Sequence, residues 1–163
     1  MSLPFSMSLG RVEDMKTSRR ELLTLDANVF VAAVRANEPF TDECQQILRR
    51  VADEFTLIEP SIVYVEVFGT LARRVGSELA EKARIELGSV LGSHVTVTCD
   101  REFCLRAYPL CHLYGVYAVD SLYLEAAVEA GSILISLDKE DFIDRIRRSK
   151  PSIKAMHISE FIN

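Results

Sequence analysis

The chain has 163 residues, 48% of them hydrophobic and 26% charged, and its 19 Lys and Arg against 24 Asp and Glu give a formal net charge of −5. Such a length fits one domain on a prior of roughly 150 residues each, able to bury a core without disulfides or a structural metal, and the composition excludes a disordered, collagenous or coiled-coil chain. The acidic balance speaks against a generally basic nucleic-acid binder but leaves room for a local basic patch; no apolar run nears the ~18 residues of a membrane helix and no secretory leader opens the chain, so a cytoplasmic protein without membrane association is expected.

Residues 1–20 show no sustained periodicity and are expected to be an N-terminal tail, vector-derived in part at Met-Ser-Leu. Residues 21–163 read as a single domain. Leu22–Leu25 predicts a buried strand, Ala27–Ala36 a helix ending before Pro39, and Thr41–Asp53 a second helix with Cys44, Ile47, Leu48 and Val51 on one face. Phe55–Ile58 predicts a strand, and Pro60 suits the first turn of a helix over Ser61–Arg74. Gly76 then stops that helix and Ser77 caps another over Glu78–Leu91. The β-branched alternation of His94–Thr98 predicts a strand, and Asp100 caps a helix over Arg101–Tyr114 that Pro109 should kink or split. Val119–Ala130 is an amphipathic helix ended by Gly131, Ile133–Leu137 a strand, Asp141–Arg148 a short helix closed by Pro151, and Ile153–Ile158 a last strand. Strands alternating with helices imply an α/β fold: a central parallel sheet with helices on both faces, its ligand site beyond the C-terminal strand ends where the strand order reverses.

Four acids break the local pattern. Asp26, Glu66 and Asp120 are each the single charged residue in an apolar stretch, and Asp138 closes the apolar run Ile133–Leu137. An ionised carboxylate buried in such surroundings costs several kcal/mol unless something pairs with it. Taken singly, each has an ordinary reading: Asp26 and Asp120 as helix caps, Glu66 as one half of a salt bridge. Taken together, two strand ends and two helix faces are expected to converge on one cleft. Crowded like charges raise one another's pKa unless a cation intervenes, and no Lys or Arg lies near enough in sequence to serve all four. A hard divalent ion with oxygen ligands, magnesium or manganese, serves that purpose. Cys99, Cys104, Cys111 and His112 invite a zinc reading, but their spacing lacks the short paired pattern of a knuckle or finger.

Read together, Leu-Asp26-Ala-Asn28-Val-Phe, Val-Glu66-Val, Val-Asp120-Ser121-Leu-Tyr-Leu-Glu-Ala-Ala and Ile-Ser136-Leu-Asp138-Lys-Glu-Asp141-Phe resemble the PIN-domain family, including the VapC-type toxins of toxin–antitoxin pairs. The acids follow one another at separations of 40, 54 and 18 positions, in that family's order. The resemblance covers about residues 21–160. It implies a three-layer parallel α/β sandwich and a Mg2+- or Mn2+-dependent endoribonuclease that hydrolyses RNA phosphodiester bonds by metal-activated water, leaving a 5′-phosphate. Asp26, Glu66, Asp120 and Asp138 match the family's acidic metal-binding quartet, Asn28 and Ser136 its supporting polar positions, and Asp141 a frequent extra acid. Ser121 stands where alanine is commoner. The resemblance further implies an RNA substrate, an antitoxin partner and a homodimer.

Phosphate contacts are sought at Arg49 and Arg50, at Arg73 and Arg74, and in the run Arg145, Arg147, Arg148 and Lys150. No base-stacking platform is evident among the 13 aromatics. The competing reading from another class is a non-catalytic PIN-like module that binds RNA or protein. Haloacid-dehalogenase-type and receiver-like chemistry both want a second acid near Asp26, and the haloacid-dehalogenase type wants it where Asn28 stands.

Overall fold

The computed structural model describes residues 20–51, 53–150 and 152–162. Residues 1–19 of the expected tail lie outside them. In chain order the elements are β1 (Glu21–Leu25), α1 (Ala27–Val34), α2 (Thr41–Arg50), β2 (Phe55–Leu57), β3 (Glu59–Pro60), α3 (Val63–Val75), α4 (Ser77–Leu87), β4 (Thr96–Val97), α5 (Arg101–Tyr114), α6 (Ala118–Ala130), β5 (Ile133–Ser136), α7 (Asp144–Ser149), β6 (Ala155–His157) and α8 (Ile158–Ile162).

Four strands form a parallel sheet in the order β2-β1-β5-β6, with helices on both faces. The strands are apolar because both faces are covered: Leu23, Leu25, Leu57, Leu134 and Ile135 are all fully buried. Against them α6 packs on β1 and β5, α1 on β5, and α3 on α1. The chain crosses from β1 through α1 and α2 to β2 on one side, while β5 lies on the other side of β1. The strand order therefore reverses between β1 and β5. Loops leaving two such strands part to opposite faces and open a crevice at their C-terminal ends. Register fixes what meets there. Leu23, Thr24 and Leu25 pair with Ile133, Leu134 and Ile135, so one further step sets Asp26 beside Ser136.

Several elements depart from the sequence expectation. Pro60 lies in β3, paired in parallel with β4 as a separate two-stranded sheet. An edge position tolerates proline because no ladder hydrogen bond needs its missing N–H. Helix α3 consequently begins at Val63, so Glu66 occupies a first turn and not mid-helix. Of His94–Thr98 only Thr96–Val97 is extended, after a short 3-10 turn over Ser93–Val95. Pro109 does not split α5; Leu105, one turn earlier, is exposed, so the lost hydrogen bond falls on the solvent side. The last strand stops at His157 because α8 begins there. The His157 N–H donates to Glu160 Oε2 (3.2 Å) while Ser159 N–H donates to His157 Nδ1 (3.3 Å), a reciprocal cap built on histidine in place of the usual serine or threonine.

Candidate active site

Asp26 directly follows β1 and continues its ladder, its N–H donating to Ile135 O (2.9 Å). Although it stands at the N-cap of α1, its carboxylate caps nothing. It turns instead to β5: Ser136 Oγ donates to Asp26 Oδ2 (2.6 Å) and Asn28 Nδ2 donates to the same oxygen (2.7 Å). Ser136 Oγ in turn accepts from Asn28 Nδ2 (3.0 Å) and from Asp138 N–H (2.9 Å), and Asn28 Oδ1 accepts from Leu137 N–H (3.2 Å). The three side chains thus lock the ends of β1 and β5 together. Asp138 Oδ1 accepts from Asp141 N–H (2.9 Å) and so caps the wide helical turn over Lys139–Ile143.

The other two acids arrive on helices. Glu66 and Asp120 lie in the first turns of α3 and α6, where unsatisfied N–H groups and the helix dipole favour negative charge. The Tyr117 backbone N–H favours the charged form of the Asp120 carboxylate, and Tyr117 O accepts from Ser121 N–H (3.0 Å). Gly115, left-handed at φ 66°, ends α5 and permits the tight turn into α6.

Asp26, Glu66, Asp120 and Asp138 line one cavity of about 340 Å³, a size within the ordinary range for ligand sites. Asn28, Glu38, Thr70, Arg74 and Tyr117 share its wall. Five carboxylates therefore face one guanidinium, and that one, Arg74, reaches only to 4.0 Å of Glu38. The acids carry the mark of this crowding. Burial pushes Asp26 up to about 7, against the pull of the Ser136 hydroxyl, with Asp120 and Glu66 adding to the rise. Burial also raises Asp120 to about 6, reinforced by Asp138 and Glu66 and opposed by the Tyr117 N–H and by Arg145. Glu66 is raised by burial, with the Tyr123 hydroxyl drawing it back. Each acid thus acts on at least one other, the mutual repulsion expected of carboxylates without a counter-ion. Among the described residues no group of three His, Cys, Asp or Glu side chains stands close enough to hold a metal ion directly. Cys44, Cys99, Cys104 and Cys111 are free thiols.

The remaining candidates scatter. Asp141 pairs with Arg145, which also donates to Gly115 O and so ties α7 to the loop before α6. Arg147 is engaged by Glu160 (2.6 Å) and by Ala155 O (2.8 Å). Arg50 pairs with Glu54 (2.8 Å). Arg49, Arg73, Arg148 and Lys150 are exposed away from the cavity wall.

One acid beside the site escaped the sequence reading. Glu59 is fully buried. Its Oε1 accepts from Leu25 N–H (2.8 Å) while Oε2 has no partner. Strand β2 splays after Ile58, whose carbonyl is taken by Thr24 Oγ1 (2.7 Å). The Glu59 carboxyl fills the place of the carbonyl that a continuing ladder would have offered Leu25. Burial pushes it well above the ordinary carboxylate range. The Tyr123 hydroxyl, also buried, lies in the field of Glu66, Asp26 and Glu59, and burial and these charges raise it. The signal available in the sequence was the solitary charge of Glu59 between Ile58 and Pro60.

The family model of the PIN domain matches residues 23–148. The chain belongs to the PIN-domain family. Solved structures agree in fold at low identity. VapC20 of Mycobacterium tuberculosis, described as a sarcin–ricin-loop-cleaving toxin, matches with a TM-score of 0.56 at 13% identity, over 72% of this chain and 88% of its own. VapBC2 of Rickettsia felis, solved on a DNA fragment from its promoter, matches with a TM-score of 0.61 at 16% identity, over 83% and 98%. FitAcB of Neisseria gonorrhoeae matches with a TM-score of 0.60 at 14% identity, over 85% and 98%. Curated proteins give no match. Among the described residues of this PIN domain, no helix is long and apolar enough to cross a membrane.

Proposed function

We propose that this PIN domain is a Mg2+- or Mn2+-dependent endoribonuclease of the VapC-like toxin type, acting on RNA through Asp26, Glu66, Asp120 and Asp138. The observation that carries the reading is the convergence of these four sequence-isolated acids on one cavity whose described lining holds a single cation, Arg74. The donor set fits a hard divalent ion. It is all oxygen, short of positive charge, and open enough for magnesium, which keeps several waters and binds through one or two carboxylates. Asp26 and Asp120 would be the principal holders, with Glu66 and Asp138 acting directly or through water.

When bound, such an ion lowers the pKa of a water and neutralises charge on a phosphoryl group. The chain's own residues prepare that chemistry. Ser136 and Asn28 hold Asp26 by its Oδ2. The amide of Tyr117 orients Asp120, and the first turns of α3 and α6 present Glu66 and Asp120 in a field that favours their ionised forms. Asp141 supports Asp138 through its N–H and anchors Arg145. Arg74 at the wall, with Arg73, Arg148 and Lys150 beyond it, supplies phosphate contacts, whereas Arg145 is tied to Asp141 and Arg147 to Glu160. The toxin–antitoxin complexes among the structural neighbours support a small antitoxin protein as partner, and homodimerisation follows from the family resemblance.

Incubating the protein with an RNA pool, with and without Mg2+ or Mn2+, tests the reading. Metal-dependent cleavage leaving 5′-phosphate ends is expected, and Asp26→Asn should abolish it. Metal-independent cleavage, or full activity in Asp26→Asn, contradicts the reading.

A further inference from the structure

Ten large apolar side chains are exposed among the described residues, and of these Tyr117 alone lines the acid cavity. Scattered exposed hydrophobics are ordinary on protein surfaces; an aromatic at the mouth of a cavity walled by carboxylates is not. The residue is 65% exposed, and its ring stacks on no other ring among the described residues. Its side chain does not cap α6, so helix formation does not account for it. Its backbone, in contrast, is held tightly. The carbonyl closes the first turn of α6 by accepting from Ser121 N–H (3.0 Å), and the N–H favours the charge of Asp120, three residues on. A free aromatic face is thus fixed to the same short stretch of chain as one of the quartet acids, with Arg74 on the same cavity wall.

We infer that Tyr117 is a stacking platform for the base of a nucleotide that flanks the phosphate seated at the acids. This rests on the nuclease reading and sharpens its substrate. A phosphate at the quartet brings its flanking bases within a few ångströms, and every base presents a π-face to an aromatic regardless of sequence. With Arg74 near a neighbouring phosphate, backbone and base are gripped together, and Tyr117 sets which nucleotide sits at the reacting position. The role is one of positioning, because the ring itself reaches no atom that reacts.

The test uses wild type, Tyr117→Ala and Tyr117→Phe, with RNA oligonucleotides carrying an abasic site at successive positions around one cleavage site. Tyr117→Ala should raise KM by about 5- to 150-fold, the span of one lost base stack, with kcat within about twofold, as expected for loss of uniform binding. Tyr117→Phe should stay within about twofold of wild type. One abasic position should cost wild type as much as the alanine substitution does, and cost Tyr117→Ala nothing further. Fluorescence polarisation with the same oligonucleotides, in an Asp26→Asn background that removes turnover, should show the same dependence on base and ring. Cleavage and binding by Tyr117→Ala equal to wild type, or an abasic scan alike in both, overturns the inference while leaving the nuclease standing, and frees the ring for a protein that covers the cleft. Base-dependent binding through Tyr117 without cleavage by wild type overturns the nuclease reading and keeps the platform. Neither binding nor cleavage overturns both.

Discussion

Two acids meet the end of β1 and have opposite fates. Asp26 takes two side-chain hydrogen bonds on one oxygen and lines the cavity. Glu59 takes one hydrogen bond from the neighbouring residue Leu25, has its other oxygen unpartnered and is wholly sealed. Burial raises both carboxyls. What separates them is access. A raised carboxylate open to a cavity can take an ion in place of a proton, whereas a sealed one can only keep the proton. The same desolvation therefore makes Asp26 a ligand in waiting and favours the neutral form of Glu59, a peg that finishes a ladder its own strand has abandoned.

The contrast is broken most severely at Asp26. Asn retains the acceptor that Ser136 and Asn28 use but not the charge, so Asp26→Asn should cut RNA cleavage by more than about 100-fold, beyond the 10–100-fold expected from altering the supporting Ser136 or Asn28. The same variant should be more stable than metal-free wild type at pH 8. Asp26 binds its proton more tightly folded than unfolded, at about 7 against 3.8, so its ionisation destabilises the fold progressively as pH rises from about 4 to about 7 and by a constant amount above that. Denaturant melts should show a gain of about 2–4 kcal/mol for Asp26→Asn at pH 8 that vanishes near pH 4.

Next in size is Glu59. Glu59→Ala removes the acceptor of the Leu25 N–H and leaves a void, and should cost about 2–4 kcal/mol of stability. Glu59→Gln keeps the acceptor without an ionisable proton and should stay within about 1 kcal/mol of wild type. Equal losses in the two variants would mean that the carboxyl is ionised and needed as a charge. Divalent ions offer a third comparison. Mn2+ should raise the melting temperature of wild type by mass action and leave that of Asp120→Asn unmoved. The rise should weaken below pH about 6, where protons reclaim Asp120 and Asp26. Smallest is Arg74→Ala, which should weaken RNA binding and reduce the slope of log affinity against log salt by about one contact, or 0.7.

The sheet was legible because strands buried on both faces read as continuous apolar runs between amphipathic helices, and the quartet because a lone acid in an apolar stretch violates that pattern. Glu59 violated it too. It was passed over because Pro60 suggested a helix start, which gave the preceding acid an ordinary place before a first turn. Sequence pattern does not say that β2 would splay after Ile58 and demand a substitute acceptor, since that depends on Thr24 competing for the Ile58 carbonyl from across the sheet. Tyr117 stands just before the apolar stripe of α6, and no sequence pattern marks it as exposed beside the cavity. In α8 the cap is a histidine, outside the residue types that mark helix starts.

A crystal of the metal-free protein soaked in manganese tests the central claim most directly. An anomalous peak in the cavity lined by Asp26, Glu66, Asp120 and Asp138 is the predicted result. An empty cavity at manganese concentrations that sustain RNA cleavage would contradict it.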